Sequence, residues 1–243
     1  MVSQLSEKEE LLNIKILKFN NQDIKENFKI ANGGFGDVYN GTILSYHCAI
    51  KKLKDFQAID FLKEIKITKK YRHPYTPRLL GDCDNSPGTK ELDISIISEL
   101  IIGYTLQALL NKDSLSEFEL ILLLIDLTSV LKYLHSFKVI HRDLKPQNIM
   151  VTNNGELKLL DFGISKVTNA TYTQTKSLGT LAYMAPETFD LGEISEETNL
   201  AEVIPTISNK IDIWSFGCIV NEVFSKDKPW ASLKNENQPL NII

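Results

Sequence analysis

The chain has 243 residues, 43% of them apolar and 24% charged, enough for one large domain or two smaller lobes around a substantial core. A net charge of −4 argues against nucleic acid or an anionic membrane as the main partner. The three cysteines, Cys48, Cys83 and Cys218, are too scattered for a disulfide framework or a metal motif and read as reduced thiols of a cytoplasmic or nuclear protein. Residues 3–10 are polar and charged, unlike a signal peptide, and Val2 is not the Gly that myristoylation needs. The longest apolar run, residues 120–125, is stopped by Asp126 and is far too short to cross a bilayer.

Residues 1–27 form a polar leader with scattered Leu and Ile, either a short helix or a strand. Residues 28–54 read as strand, glycine turn, strand, strand, with Val38-Tyr39 and Cys48-Ala49-Ile50-Lys51 as the β-rich pieces. Residues 60–71 are helical, with Phe61, Leu62, Ile65 and Thr68 toward one face, and Pro74 and Pro77 end the pattern. Residues 92–100 are another strand pair or strand end. Residues 116–136 are a long helix that opens on Ser116 and Glu119, a Ser-x-x-Glu start. It is apolar nearly all round, which predicts a buried central helix, and residues 211–224 predict a second one. Between them, residues 188–209 are acidic, with Asp190, Glu193, Glu196, Glu197 and Glu202, and read as a solvated loop with a short helix. There is no internal repeat, heptad pattern or low-complexity tract. Strands with one helix come first and helices follow, so the fold class is α+β. Two lobes are joined by a connector at residues 99–103, and a nucleotide would sit in a cleft between them.

The densest chemistry lies in His141-Arg142-Asp143-Leu144-Lys145-Pro146-Gln147-Asn148, followed thirteen residues later by Asp161-Phe162-Gly163. An Asp, a Lys two residues on, an Asn five residues on and a second Asp bring together a base, a phosphate clamp and two metal-ligand oxygens. Moving a phosphoryl group from Mg-ATP to a hydroxyl requires that set. The segment resembles the catalytic loop and metal-binding turn of protein kinases. Upstream, Ile30-Ala31-Asn32-Gly33-Gly34-Phe35-Gly36-Asp37-Val38 resembles the family's glycine-rich loop, where glycines let backbone amides approach the ATP phosphates. Cys48-Ala49-Ile50-Lys51 resembles its third strand, and 178–187, ending Tyr183-Met184-Ala185-Pro186-Glu187, the end of its activation segment. The resemblance covers about residues 28–230, with motifs in the family's order.

It implies a two-lobed kinase-like fold: a β-rich lobe with one helix over 28–98, a hinge over 99–103, and a helical lobe over 104–243. It implies that Lys51 holds the α and β phosphates and pairs with Glu64. Asp143 then accepts or orients the substrate hydroxyl's proton, and Lys145 stabilises charge on the γ-phosphate. Asn148 and Asp161 hold Mg²⁺ through oxygen. Ile30, Ala31, Gly33, Gly34, Phe35, Gly36 and Val38 cover the ATP. Ala49 and Met150 sandwich the adenine, Glu99 and Ile101 bond its edge through their backbones, and Ser98 sits before the hinge, where its small side chain leaves the pocket behind the adenine open. Asp212 braces the catalytic-loop backbone, while His141 and Phe162 are packing residues. Thr180 bridges Asp143 and Lys145, and Thr180 with Lys145 resembles the serine/threonine class, loosely its tyrosine-kinase-like group. Among the hydroxyls of 165–177, Thr175 and Ser177 are the expected phosphorylation sites for an upstream kinase, with Arg142 to pair the phosphate.

Two departures stand out. Ala31 occupies the place of the first glycine. Kinases also continue past Pro229-Trp230 with several more helices and an Arg that pairs with the equivalent of Glu187, whereas Arg72, Arg78 and Arg142 all precede Glu187. The helical lobe is therefore expected to lack its last helices, to expose apolar surface and to be marginally stable. The sequence thus reads as a protein serine/threonine kinase using ATP and Mg²⁺ on a protein substrate. The alternative is a catalytically weak kinase-like module that binds nucleotide or a partner.

Overall fold

A computed structural model describes residues 17–32, 36–53, 65, 67–84, 94–161, 181–188 and 208–231. The chain divides into two compact units, Met1–Gly103 with Lys158–Ser165, and Tyr104–Leu157 with Lys166–Ile243.

The first unit is built on a six-stranded sheet. Its strands are β1 (Leu17–Phe19), β2 (Ile24–Asn32), β3 (Gly36–Ile43), β4 (Tyr46–Leu53), β5 (Leu79–Asp84) and β6 (Ile94–Glu99), in the order β1-β5-β6-β4-β3-β2. All neighbours are antiparallel except β1 on β5, where Leu17 pairs Gly81 and Phe19 pairs Cys83. Alternation sets the core: Ile43, Cys48, Ile50, Cys83 and Ile97 are buried together, with Phe19, Ile24, Tyr39 and Leu80 packed against them. A second cluster joins Ile65 to Leu79 and Ile96. Each such fully buried aliphatic side chain contributes about 1.5–3 kcal/mol.

One expectation needs correcting here, and one strand was not expected at all. Part of the stretch expected as a leader, residues 17–27, belongs to the sheet as β1, a 3-10 turn at Asn21–Asp23 and the start of β2. β5 had no sequence signal of its own, because Gly81, Asp82 and Asp84 are poor strand formers. It is a strand because β1 and β6 pair with both its edges and bury Leu79, Gly81 and Cys83.

The second unit begins within β7 (Gly103–Thr105), which leads into α1 (Leu106–Asn111), where the Thr105 hydroxyl accepts the Ala108 N–H at 3.2 Å. α2 (Glu117–Ser136) begins with the expected capping box: the Glu119 N–H donates to the Ser116 hydroxyl, and the Ser116 N–H to the Glu119 carboxylate. That helix is not buried all round. Leu120, Leu123, Leu127, Val130, Leu131 and Leu134 form one buried stripe at helical spacing, while Phe118, Ile121, Leu122 and Ile125 are exposed. β8 (Ile149–Thr152) turns through Gly155, at φ +83°, into β9 (Leu157–Leu159), along which the chain returns to the first unit. α3 (Lys210–Ser225) likewise buries one face, through Ile211, Ser215, Ile219 and Val223, together with the carboxylates of Asp212 and Glu222. Ile213, Trp214 and Phe224 lie on its exposed side. No helix among the described residues is long and apolar enough to cross a membrane.

Candidate functional site

The functional side chains fall into two groups, one in each unit. In the first, Lys51 sits midway along β4, opposite Val38 on β3 and Ile96 on β6. Its Nζ lies 2.8 Å from Asp161 Oδ1, across 110 residues of sequence, with the lysine largely sheltered. Glu64, the partner expected from the sequence, lies outside the described residues. Asp161 is held at φ +44°, a left-handed conformation that costs a non-glycine residue about 1–3 kcal/mol. The chain before it is anchored twice: the Leu159 N–H donates to the Tyr75 carbonyl at 2.8 Å, and Lys158 Nζ meets Glu99 Oε1 at 2.8 Å.

The glycine-rich segment is described only at its flanks, and Gly33, Gly34 and Phe35 lie outside. Ile30 and Ala31 are exposed on the edge strand β2, and Ala31 pairs with Val38. Gly36 answers a steric demand inside the sheet, since a Cβ there would stand 2.2 Å from the Lys52 carbonyl oxygen. Ala49 pairs with Ser98, which also faces Leu79 across β5. The Glu99 N–H donates to the Arg78 carbonyl at 2.9 Å, and Ile101 follows in the half-buried connector to β7.

In the second unit the loop after α2 is organised by Asp212. Its Oδ2 accepts the His141 N–H and its Oδ1 the Arg142 N–H, each at 2.8 Å. His135 Nε2 lies 2.8 Å from Oδ2, and carries the hydrogen because a carboxylate can only accept. Burial pushes the Asp212 carboxyl up, but the His135 hydrogen bond, the His141 charge and the two backbone N–H groups outweigh it and hold the group below the usual carboxylate range. These bonds fix Arg142 at φ +67°, again left-handed. Asp143 follows. Lys145 Nζ lies 2.9 Å from its Oδ2, and Asn148 Nδ2 donates both to its carbonyl at 2.7 Å and to its Oδ2 at 2.9 Å. Both partners of the Asn148 amide are acceptors, so its nitrogen is assigned to them and its oxygen takes part in neither bond. Pro146 opens the turn Pro146–Asn148 that sets this spacing, closed by the Asn148 N–H on the Lys145 carbonyl at 2.9 Å. Met150 is half-buried on β8, between the buried Ile149 and Val151.

Residues 181–188 dock on α3. The Tyr183 hydroxyl donates to the Glu222 carboxylate, the Ser215 hydroxyl to the Tyr183 carbonyl at 2.7 Å, and Trp230 Nε1 to the Ala182 carbonyl at 2.9 Å. Burial, then the Glu222 bond and charge, push the Tyr183 phenol far above its ordinary range. Gln107 Nε2 donates to Glu222 at 3.0 Å, and Gln147 Nε2 to Gln107 Oε1 at 2.8 Å, so the catalytic-loop turn is linked to Tyr183. The sequence reading missed this chain, although a carboxylate between Ile219 and Val223 on a buried helical face was a usable signal. It also missed His135 and Lys158. Glu187 is exposed in the turn Pro186–Thr188, while Phe162, Thr175, Ser177 and Thr180 lie outside the described residues.

The protein kinase domain family matches residues 24–243, and the chain belongs to that family. It is 30% identical over 222 residues to the probable serine/threonine-protein kinase SIS8 of Arabidopsis thaliana, covering 87% of this chain and 20% of that protein. It is 33% identical over 227 residues to the mouse tyrosine-protein kinase Fer, covering 89% and 25%. With the dual specificity protein kinase shkB of Dictyostelium discoideum it shares 31% over 218 residues, covering 84% and 30%. The chain thus spans well under half the length of these relatives.

Proposed function

We propose that the chain transfers the γ-phosphoryl group of ATP to serine or threonine hydroxyls of proteins. The observation that carries this reading is Asp143, whose carboxylate is shared between Lys145 Nζ and Asn148 Nδ2. A carboxylate so held can orient a hydroxyl and take its proton as the bond to phosphorus forms. Lys145 brings a cation beside that base, where charge on the transferring phosphoryl develops, and a lysine here favours the serine/threonine class over the tyrosine class. Lys51 would hold the α and β phosphates. Ile30, Ala31, Val38 and Ala49 supply apolar surface for the nucleotide, with Met150 as the expected partner of Ala49. The Glu99 N–H is already donated to Arg78, so the adenine contact expected of Glu99 falls to its carbonyl and the complementary donor to Ile101.

The donor set suits Mg²⁺: an aspartate carboxylate and a side-chain amide oxygen are hard ligands, and the Asn148 oxygen is the one left by the amide's two donations. Asp161 and Asn148 would hold the ion, which when bound neutralises charge on the phosphates. A phosphate on Thr175 or Ser177, placed by an upstream kinase, would bring negative charge that Arg142 can pair.

Transfer of label from γ-labelled ATP to a mixed protein substrate, followed by phosphoamino acid analysis, tests the reading. Phosphoserine or phosphothreonine is expected. Phosphotyrosine alone would move the chain to the other class, and no transfer with intact nucleotide binding would favour a kinase-like binding module.

A further inference from the structure

The family match begins at residue 24, yet among the described residues the sheet begins at Leu17. The added strand β1 lies parallel on the outer edge of β5 and is fitted there closely. A Cβ on Gly81 would stand 2.3 Å from the Leu17 carbonyl oxygen and 2.4 Å from the Phe19 ring. The glycine therefore makes room for this strand. Phe19 packs on the core cluster that includes Cys83 of β5. The return to β2 is closed by the Asn20 N–H on Asp23 Oδ2 at 3.0 Å and the Asp23 N–H on the Asn20 carbonyl at 2.9 Å.

β5 in turn carries the helical residues 65 and 67–70. Ile65 and Lys69, four apart and so on one helical face, both rest on it. Ile65 packs with Leu79, and Lys69 Nζ meets Asp82 Oδ1 at 3.3 Å with both side chains largely buried. Asp82 is the register partner of Lys18 on β1. One strand is thus gripped along its outer edge by β1 and bears the helical segment through an apolar contact and an ion pair. Glu64, the residue expected to pair with Lys51, directly precedes Ile65 in the chain.

We propose that β1 is a positioning strand: its docking on β5 holds the helical segment of Ile65 and Lys69 in place and thereby supports nucleotide handling at Lys51. This rests on the functional reading above. A parallel strand of three residues adds few hydrogen bonds, so its effect depends on rigidity at β5 more than on bulk stability.

The test uses the 243-residue chain and four single variants of it, Gly81→Val, Phe19→Asp, Phe19→Leu and Lys69→Met. Amide hydrogen exchange at 17–19 and 67–70 is read beside the ATP KM and kcat. Gly81→Val and Phe19→Asp should free the amides of β1, speed exchange in 67–70 and lower kcat/KM for ATP about tenfold, a size typical of coupled neighbours. Lys69→Met should lower it similarly, and combining it with Gly81→Val should cost little more, because both act through β5. Phe19→Leu should restore kinetics and exchange, and Phe19→Asp stands in if Gly81→Val fails to fold. Faster exchange at β1 with unchanged exchange at 67–70 would overturn the proposal, as would losses that multiply in the double variant. If the unaltered chain neither binds nor turns over Mg-ATP, the functional reading fails, and exchange coupling between the two segments still decides the strand's role.

Discussion

The Arg142 N–H lies 2.8 Å from Asp212 Oδ1, and this contact holds a residue whose φ is +67°. Asparagine in place of Asp212 keeps the shape but offers one acceptor oxygen where His141, Arg142 and His135 present three donors. Asp212→Asn should therefore cost about 1.5–3 kcal/mol, the range for hydrogen bonds to a charged group. The pH dependence has a definite sign. The folded carboxyl titrates below its unfolded value of about 4, so its contribution is fully present above that pH and lost as pH falls through the lower folded value. Urea unfolding between neutral pH and pH about 2 should show a shallower acid slope for the variant. Identical slopes would mean that Asp212 is not the carboxylate responsible.

Asp143→Asn should leave nucleotide affinity near normal and cut kcat by about 10²–10⁴. The carboxylate that Lys145 and Asn148 share loses its charge without losing its position. Asp161→Ala should instead abolish the Mg²⁺ dependence of nucleotide binding, because it would remove the oxygen proposed to hold the ion rather than the proposed base. Calorimetric titration of each variant with and without Mg²⁺ separates the two roles, and wild-type turnover by the Asp143 variant would refute its assignment.

The β3–β4 hairpin turns on Leu44 and Ser45, at φ +46° and +72°. Two consecutive left-handed residues define a turn that Asn-Gly fits far better. Leu44 is exposed, so nothing in the core is lost by changing it. Leu44→Asn with Ser45→Gly should raise stability by about 0.5–2 kcal/mol, readable as a higher midpoint in urea. A lower midpoint would show that this tip is held by contacts of its own.

Ser98 lies between Ala49 and Leu79 in the sheet, a small half-buried side chain beside another small one. Adenine analogues with a bulky group directed behind the ring should bind the native chain better than Ser98→Phe. Overpacking of about 1–3 kcal/mol corresponds to roughly 5- to 150-fold in affinity. Equal affinities would remove Ser98 from the pocket.

What was legible in the sequence was local. Ser116 and Glu119 announce the start of α2 because a capping box lies within one turn. The loop around Asp143 is readable because its carboxylate, cation and amide are neighbours in the chain. β5 was hidden because glycine and aspartate are poor strand formers, and β1 because three residues carry too little alternation to read, so both are decided by partners far along the sequence. The burial of only one stripe of α2 was hidden for a related reason: leucines and isoleucines on both faces do not say which face meets the core. The union of Lys51 with Asp161, and of Tyr183 with Glu222 and Gln107, likewise depends on chain crossings that no local pattern encodes.

The left-handed backbone at Arg142 and Asp161 sets the protein's endurance against its chemistry. Glycine relieves such strain at either position, but at Asp161 it would also strip the largely sheltered Lys51 of its ion-pair partner, so a library of variants sorted by heat resistance alone would favour Arg142→Gly over Asp161→Gly. That variant would keep the carboxylate proposed to hold the metal and lose the cation proposed to pair a phosphate on Thr175 or Ser177. A breeding scheme for this chain therefore needs a check on that proposed pairing at every round, or selection will steadily trade a switch for sturdiness.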